Sequence, residues 1–221
     1  MNSETVARPV RPRDAATLLI YRPGPGGLEL VMGRRRDTAR FRPGVYVFPG
    51  GRLEQADFRV RPATPLAEHI TMQCGAAPGR ACALALAAVR ETYEESGLLL
   101  ASPGDPGPTG NASWEALRAR GLAPALDRLF YLGRAITPPT QHIRFHARFF
   151  AVDANHVQGE LGGDSELEDL RWVPLEDVPA LEVMPVTLLM IESLQRKLAV
   201  PADDRTAYLR FQRGVRTISW I

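Results

Sequence analysis

Arg90-Glu91-Thr92-Tyr93-Glu94-Glu95-Ser96-Gly97-Leu98 ends the most helix-prone stretch of the chain, Ala81 to Ser96, ACALALAAVRETYEES. High-propensity residues and an apolar stripe through Leu86, Val89 and Tyr93 predict a helix with its acidic face opposite. Gly97 supplies the stop. Glu91, Glu94 and Glu95 stand at i, i+3 and i+4 and project from one side of that helix. Like charges so spaced cost about 0.2–0.5 kcal/mol per pair, a cost that a bound cation removes. Oxygen ligands select hard ions, Mg²⁺ or Mn²⁺. Arg90, one turn before Glu94, can pair with it and hold that carboxylate in place. Taken alone, ETYEES also fits a solvated acidic face near a helix end.

Upstream, Ala16 to Tyr21 and Leu28 to Gly33 read as a hairpin around the turn chemistry of RPGPGG. Val45 to Phe48 is a third strand that runs into Pro49-Gly50-Gly51, where a loop should begin. Arg52 to Arg80 has several prolines and no steady period, which predicts an insertion that is functional or carries a short helix of its own. Downstream, Ala101 to Ser113 is rich in proline and glycine and reads as an exposed loop before a short helix, Trp114 to Arg120. Strand-like runs follow at Leu129 to Ile136, Phe145 to Val152 and Leu170 to Val173. Met184 to Leu198 reads as a closing helix, with Pro185 tolerated in its first turn. Strands, a helix, more strands and a helix predict an α+β fold, a mixed sheet packed between helices.

At 221 residues and 45% hydrophobic, the chain can bury one sizeable core, which predicts one domain over 1–221 with the insertion at about 52–80 and the last helix at about 184–199. The 27 basic and 25 acidic residues nearly balance, so bulk charge calls for neither nucleic acid nor a membrane, and a homodimer is compatible with it. Arginines crowd between Arg34 and Arg42 as a local anion site or a solvated basic loop. Cys74 and Cys82 form neither a disulfide framework nor a zinc motif. With no signal-peptide core and no membrane-length apolar run, a soluble cytoplasmic protein is expected. Trp172 and Cys82 read as packed residues, and His142 and His146 as structural.

The pattern GG…REtyEEsGL resembles the Nudix box, whose consensus is G-x5-E-x7-R-E-U-x-E-E-x-G-U with U aliphatic. Gly51, Arg90-Glu91, Glu94-Glu95, Gly97 and Leu98 take its places. Thr92 replaces an aliphatic residue, and Cys82 stands where the first glutamate belongs. Glu54 or Glu68 could replace that glutamate from the insertion, which lengthens the spacing between Gly51 and Arg90 by about 25 residues. In Val31 to Gly51, Arg35, Arg40, Gly44 and Phe48-Pro49-Gly50-Gly51 resemble the segment before the box in coenzyme A diphosphatases, although Arg36 replaces a small residue. The split box and ITPPTQHIRFHARFF are similar to the branch of the nineteenth-type mammalian Nudix hydrolase and its bacterial relatives. The peroxisomal signal of that branch is absent from Ser219-Trp220-Ile221.

This resemblance implies a Nudix fold and divalent-metal-dependent hydrolysis of a diphosphate linkage, in coenzyme A or acyl-CoA, with ADP-ribose or NADH as the alternative. It implies Glu91 and Glu95 as main metal ligands, Glu94 sharing a second ion or its water shell, and the carbonyl of Gly50 or Gly51 as a backbone ligand. Glu166, in a loop from which relatives supply a glutamate, is the candidate general base, with Glu91 competing. Arg34, Arg35 and Arg40 are candidates for substrate phosphates. A non-catalytic ligand-binding module is the reading of a different class, and in such modules the acidic residues are typically eroded.

Overall fold

The computed structural model describes residues 10–162, 166–212 and 214–221. Strand β1 (Arg13–Gly24) turns through Gly27 into β2 (Gly27–Arg35), and the two pair antiparallel, as the turn chemistry predicts. Strand β3 (Tyr46–Val47) pairs with β2. The expected loop at Pro49-Gly50-Gly51 is instead a short strand, β4 (Gly50–Arg52), antiparallel to Ala15–Thr17 of β1. Glycine permits this approach, because a Cβ on Gly50 would sit 2.6 Å from the Ala16 carbonyl oxygen and 2.7 Å from Thr17 Cα.

The insertion carries one 3₁₀ turn at 57–59 and helix α1 (Glu68–Gln73). Helix α2 (Pro78–Ser96) begins three residues earlier than the apolar pattern suggests, with proline in its first turn, where the missing N–H is not needed. It ends on Gly97 in the left-handed conformation, whose N–H donates to the Tyr93 carbonyl. The two-faced helix expected there is buried all round from Ala83 to Arg90. Leu18, Ile20 and Phe150 of the sheet cover one side, while Ala56, Val60 and Ile70 from the insertion pack into the same core. The insertion thus roofs the helix, and Glu95 is 7% exposed although it belongs to the acidic face.

Ala101 to Ser113 departs from an exposed loop. Its first residues form β5 (Ala101–Pro103), its middle includes buried Pro106, Gly107 and Thr109, and Asn111 caps α3 (Ala112–Ala119) by accepting from two backbone N–H groups. Strand β5 pairs with β6 (Leu122–Pro124) in a separate two-stranded sheet. Strands β7 (Phe130–Ile136), β8 (Phe145–Asp153) and β9 (Leu167–Pro174) lie where the sequence predicts strands. Helix α4 (Pro185–Ala199) likewise matches, with Pro185 at its start.

The chain does not close on that helix. Strands β10 (Ala207–Gln212) and β11 (Val215–Trp220) form an antiparallel hairpin, and β10 joins β7 in parallel. Gly133 makes this joint possible, since the Ala207 carbonyl occupies the place of its missing Cβ. Among the described residues the main sheet has nine strands along the path β11-β10-β7-β8-β1-β2-β3, with β4 on β1 and β9 on β2. Its α2 face and its α4 face each carry a core, Leu84 and Leu86 on one side and Met190 and Leu194 on the other. The expected mixed sheet between helices is therefore present. Trp172 is only partly buried and lies under the Arg22 guanidinium, 4.0 Å from its ring centroid. No helix among the described residues is long and apolar enough to cross a membrane.

Candidate active site

Helix α2 delivers its carboxylates to the strand made by the glycine pair. The Glu95 carboxylate accepts from the Gly50 N–H at 2.9 Å, and the Glu91 carboxylate occupies the space that a Cβ on Gly51 would fill. Glu95 is buried and Glu91 largely so, both packed against β4. Burial pushes Glu91 up to about 7, against the pull of Arg90, and Glu95 up to about 8, against the Gly50 N–H. Two buried carboxylates that resist ionisation beside each other suit a cation, which stabilises the charged form of both at once.

Arg90 organises the group. Its Nη1 donates to Glu91 Oε1 at 2.9 Å and to Glu94 Oε2 at 3.1 Å, so the expected pairing with Glu94 is present. Nη2 donates to the Arg52 carbonyl at 2.9 Å, which ties the helix to β4. The guanidinium is 2% exposed, and a buried cation needs a counter-charge. That charge is Asp57 of the insertion, wholly buried, accepting from Arg90 Nε at 2.9 Å and Nη2 at 3.2 Å. Asp57 also accepts from Trp114 Nε1 at 3.1 Å and the Glu54 N–H at 2.9 Å. Burial lowers the Arg90 pKa, but Asp57, Glu91 and Glu94 outweigh it and hold the group above its ordinary value.

Asp57 was not among the residues singled out from sequence, and neither substitute expected for the missing glutamate holds Arg90. Glu54 is exposed on the cleft wall, and Glu68 is exposed at the start of α1. The only available signal was the need of a buried arginine for an acid, and the insertion holds three. Cys82 lies within α2, partly buried, and burial raises its thiol pKa.

Among the described residues, no three of His, Cys, Asp and Glu already converge as a metal cluster. Glu94 is committed at both oxygens, Oε1 accepting from Ser113 Oγ at 2.6 Å and Oε2 from Arg90. Glu91 and Glu95, with the Gly50–Gly51 backbone between them, are the arrangement that fits a divalent ion.

These groups line one end of a cleft of about 830 Å³. Arg35 and Glu166 line it too, and Glu166 is close enough to raise the Glu95 pKa while Arg35 lowers it. Arg35 Nε is buried without a hydrogen-bond partner. Arg34 and Arg40 are not on the cleft wall. Arg34 is held by Asp37 at 2.6 Å and Glu168 at 3.3 Å, and Arg40 is exposed. Arg42, in the left-handed region at φ 51°, lines the cleft instead. Ile136, Phe145, Phe149, Val186, Leu209 and Phe211 add apolar side chains to the lining, with Phe41 edge-on to Phe145 at 5.2 Å between centroids, and Thr137, Thr187, Glu182 and Arg216 stand among them.

Neither singled-out histidine lines the cleft. His142 is exposed, and His146 of β8 faces the other side of the sheet, where burial first and Arg148 next push it down to about 4. Arg134 and Arg80 act in the same sense and Asp14 opposes them. A depressed folded-state value means that the stability due to the neutral ring is complete above about 6.5 and is lost as pH falls towards 4. Between pH 7 and pH 4.5 we expect His146→Asn to lose less stability than the parent, by on the order of 1 kcal/mol after solvent screening of this partly exposed ring. Urea denaturation at the two pH values measures it, and parallel losses would show that the ring does not titrate as described.

The family model described as NUDIX domain matches residues 11–191. The acyl-coenzyme A diphosphatase NUDT19 of Gallus gallus is 31% identical over 135 residues, 47% of this chain and 34% of its own length. The chain thus spans about a third of the length of that curated relative. A NUDIX hydrolase from Alicyclobacillus acidocaldarius superposes with a TM-score of 0.66 at 31% identity, covering 84% of this chain and 92% of that one. The NUDIX domain of Shewanella oneidensis NrtR, solved with ADP ribose, agrees in fold alone, with a TM-score of 0.50 and 12% identity over 86% of this chain and 90% of that one.

Proposed function

The chain belongs to the Nudix family, and from that premise we propose that it hydrolyses the diphosphate linkage of coenzyme A or an acyl-CoA, with Mg²⁺ or Mn²⁺, within a single cytoplasmic domain. The products are 3′,5′-ADP and the corresponding phosphopantetheine. The observation that carries this reading is the continuity of one cleft from the buried carboxylates at Gly50–Gly51 to a wall of aromatic and aliphatic side chains. A diphosphate belongs at the first end and a pantetheine or acyl arm at the second. ADP-ribose or NADH would instead set sugar hydroxyls against these aromatic and aliphatic side chains, with Thr137, Thr187, Glu182 and Arg216 as the polar groups within the lining.

Glu91 and Glu95 would hold the divalent ion, with a Gly50 or Gly51 carbonyl, and Glu94 beside them. Bound there, the ion supplies charge neutralisation on the diphosphate and acidifies water, together worth several kcal/mol. Arg90 keeps Glu91 and Glu94 in register, and the Gly50 N–H orients Glu95. Arg35 and Arg42 bind anionic phosphate oxygens. Glu166, on the same wall as Glu95, accepts the proton of the attacking water as its oxygen bonds to phosphorus and the bridging P–O bond breaks.

The test is a substrate panel of coenzyme A, an acyl-CoA, ADP-ribose, NADH and nucleoside triphosphates with either metal. Turnover of coenzyme A or acyl-CoA above the rest is expected. Preference for ADP-ribose would overturn the substrate, and no turnover of any diphosphate would point to a ligand-binding module instead.

A further inference from the structure

Strand β8 sends Phe145, Ala147 and Phe149 to the cleft, so His146 and Arg148 face the opposite side of the sheet. There Arg148 lies across from Arg134 of β7, and Arg134 across from Tyr208 of β10. The Arg134 guanidinium sits 4.3 Å from the Tyr208 ring centroid, and the Arg210 guanidinium 5.2 Å from the same ring. Arg134 Nη1 packs into the space left by the missing side chain of Gly75, just beyond α1. Arg80, in the first turn of α2, reaches the group through Asp14.

Charge is unbalanced in this cluster. Arg80, Arg134, Arg148 and Arg210 face one carboxylate, Asp14, which commits Oδ2 to Arg80 at 2.6 Å and Oδ1 to Arg148 at 2.8 Å. Arg134 and Arg210 have no hydrogen-bond or ion-pair partner among the described residues. The Nε atoms of Arg134, Arg148 and Arg210, Nε2 of His146 and the Tyr131 hydroxyl are all buried and unpartnered, which places in this cluster five of the seven such atoms found among the described residues. Arg148 is itself only 4% exposed. A buried donor without an acceptor costs about 1–3 kcal/mol, more when charged, so an anion at this concentration of donors would offset a cost that the described residues leave standing.

We propose that Arg134, Arg148, Arg210 and His146, beside the Tyr208 ring, form a second anion site that binds a phosphate group of a small molecule on the face of the sheet opposite the cleft. Guanidinium forks match phosphate oxygens in pairs, and a dianion offsets most of the net +3 of four arginines and one aspartate. The His146 ring, whose pKa burial and Arg148 lower, is neutral at physiological pH and leaves the charge of the site to the arginines. The site does not depend on hydrolysis in the cleft and shares no side chain with it.

Inorganic phosphate and 5′-AMP, with acetate as the carboxylate arm, are titrated into the full chain by calorimetry and followed by thermal unfolding. Phosphate is expected to bind the parent and to bind Arg134→Gln and Arg210→Gln about tenfold more weakly, the loss of one charge-assisted contact. Arg35→Gln, which alters only the cleft, is expected to keep this binding. Beyond their contacts with the Tyr208 ring, Arg134 and Arg210 make no hydrogen bond or ion pair among the described residues, and each variant removes a buried unpartnered donor, so both should melt no more than a few degrees below the parent when no anion is present. Tighter binding of 5′-AMP than of phosphate would identify a nucleotide as the source of the group, and equal binding would identify the free ion. Unchanged phosphate affinity in both arginine variants, its loss in Arg35→Gln, no binding to the parent, or acetate bound as tightly as phosphate would each overturn the proposal.

Discussion

Glu95→Gln is expected to lower kcat/KM for the preferred diphosphate by about 10³ while leaving the metal-free protein at least as stable as the parent. A divalent ion at a diphosphate contributes several kcal/mol, and about 4 kcal/mol corresponds to a thousandfold change in rate. Glutamine has nearly the same volume and keeps an oxygen for the Gly50 N–H, so the geometry at β4 survives. What it lacks is the charge, and burial already pushes Glu95 up to about 8, which marks the ionised form as costly to the fold without a cation. The same variant separates binding from catalysis. Mg²⁺ or Mn²⁺ at about 100 times its dissociation constant should stabilise the parent by roughly 2.7 kcal/mol and raise its Tm, and should leave the glutamine variant unmoved. Parent-like turnover by Glu95→Gln would sink the site.

Asp57→Ala is expected to cost about 3–5 kcal/mol of folding stability, because it strands the buried Arg90 guanidinium without its counter-charge. Trp114 Nε1 and the Glu54 N–H lose their acceptor in the same stroke, and the roof over α2 loosens. Asp57→Asn, which keeps the volume and one acceptor oxygen, should fall between that variant and the parent. Urea denaturation measures the series, and activity assayed well below each Tm reports on positioning. There kcat should fall more than KM rises, since Arg90 no longer keeps Glu91 and Glu94 in register. A loss of under about 1 kcal/mol in Asp57→Ala would show that Arg90 is anchored by some other group.

Legibility followed the range of the interactions. Helix α2, the β1–β2 hairpin and strands β7 to β9 were readable because propensity, period and turn chemistry act over a few residues. The β10–β11 hairpin lies beyond the last element that the sequence predicts, although Ala207, Leu209 and Phe211 alternate inward, because its first partner is a distant parallel strand, β7. The proline-rich stretch after α2 looked exposed by composition, yet Thr109 is buried and its N–H is taken by Glu115, a closure that depends on how α3 docks.

The site divides along the same line. Glu91, Glu94, Glu95 and Arg90 could be named from sequence because helical spacing alone gathers them on one side, whereas Gly50 and Gly51 were named through the resemblance to the Nudix box, and their close approach to β1 is a tertiary fact. Of the arginines between Arg34 and Arg42, tertiary packing selected which ones meet the cleft, binding Arg34 to Glu168 and leaving Arg35 and Arg42 on the wall. Asp57 became the counter-ion of Arg90 only when the insertion folded over α2, since burial, and with it the energy of an ion pair, exists only in three dimensions. Sequence by itself determined which carboxylates form the cluster. Tertiary structure decided that they are dry, what holds them and what lies beyond them in the cleft, because those properties depend on desolvation by residues far away along the chain.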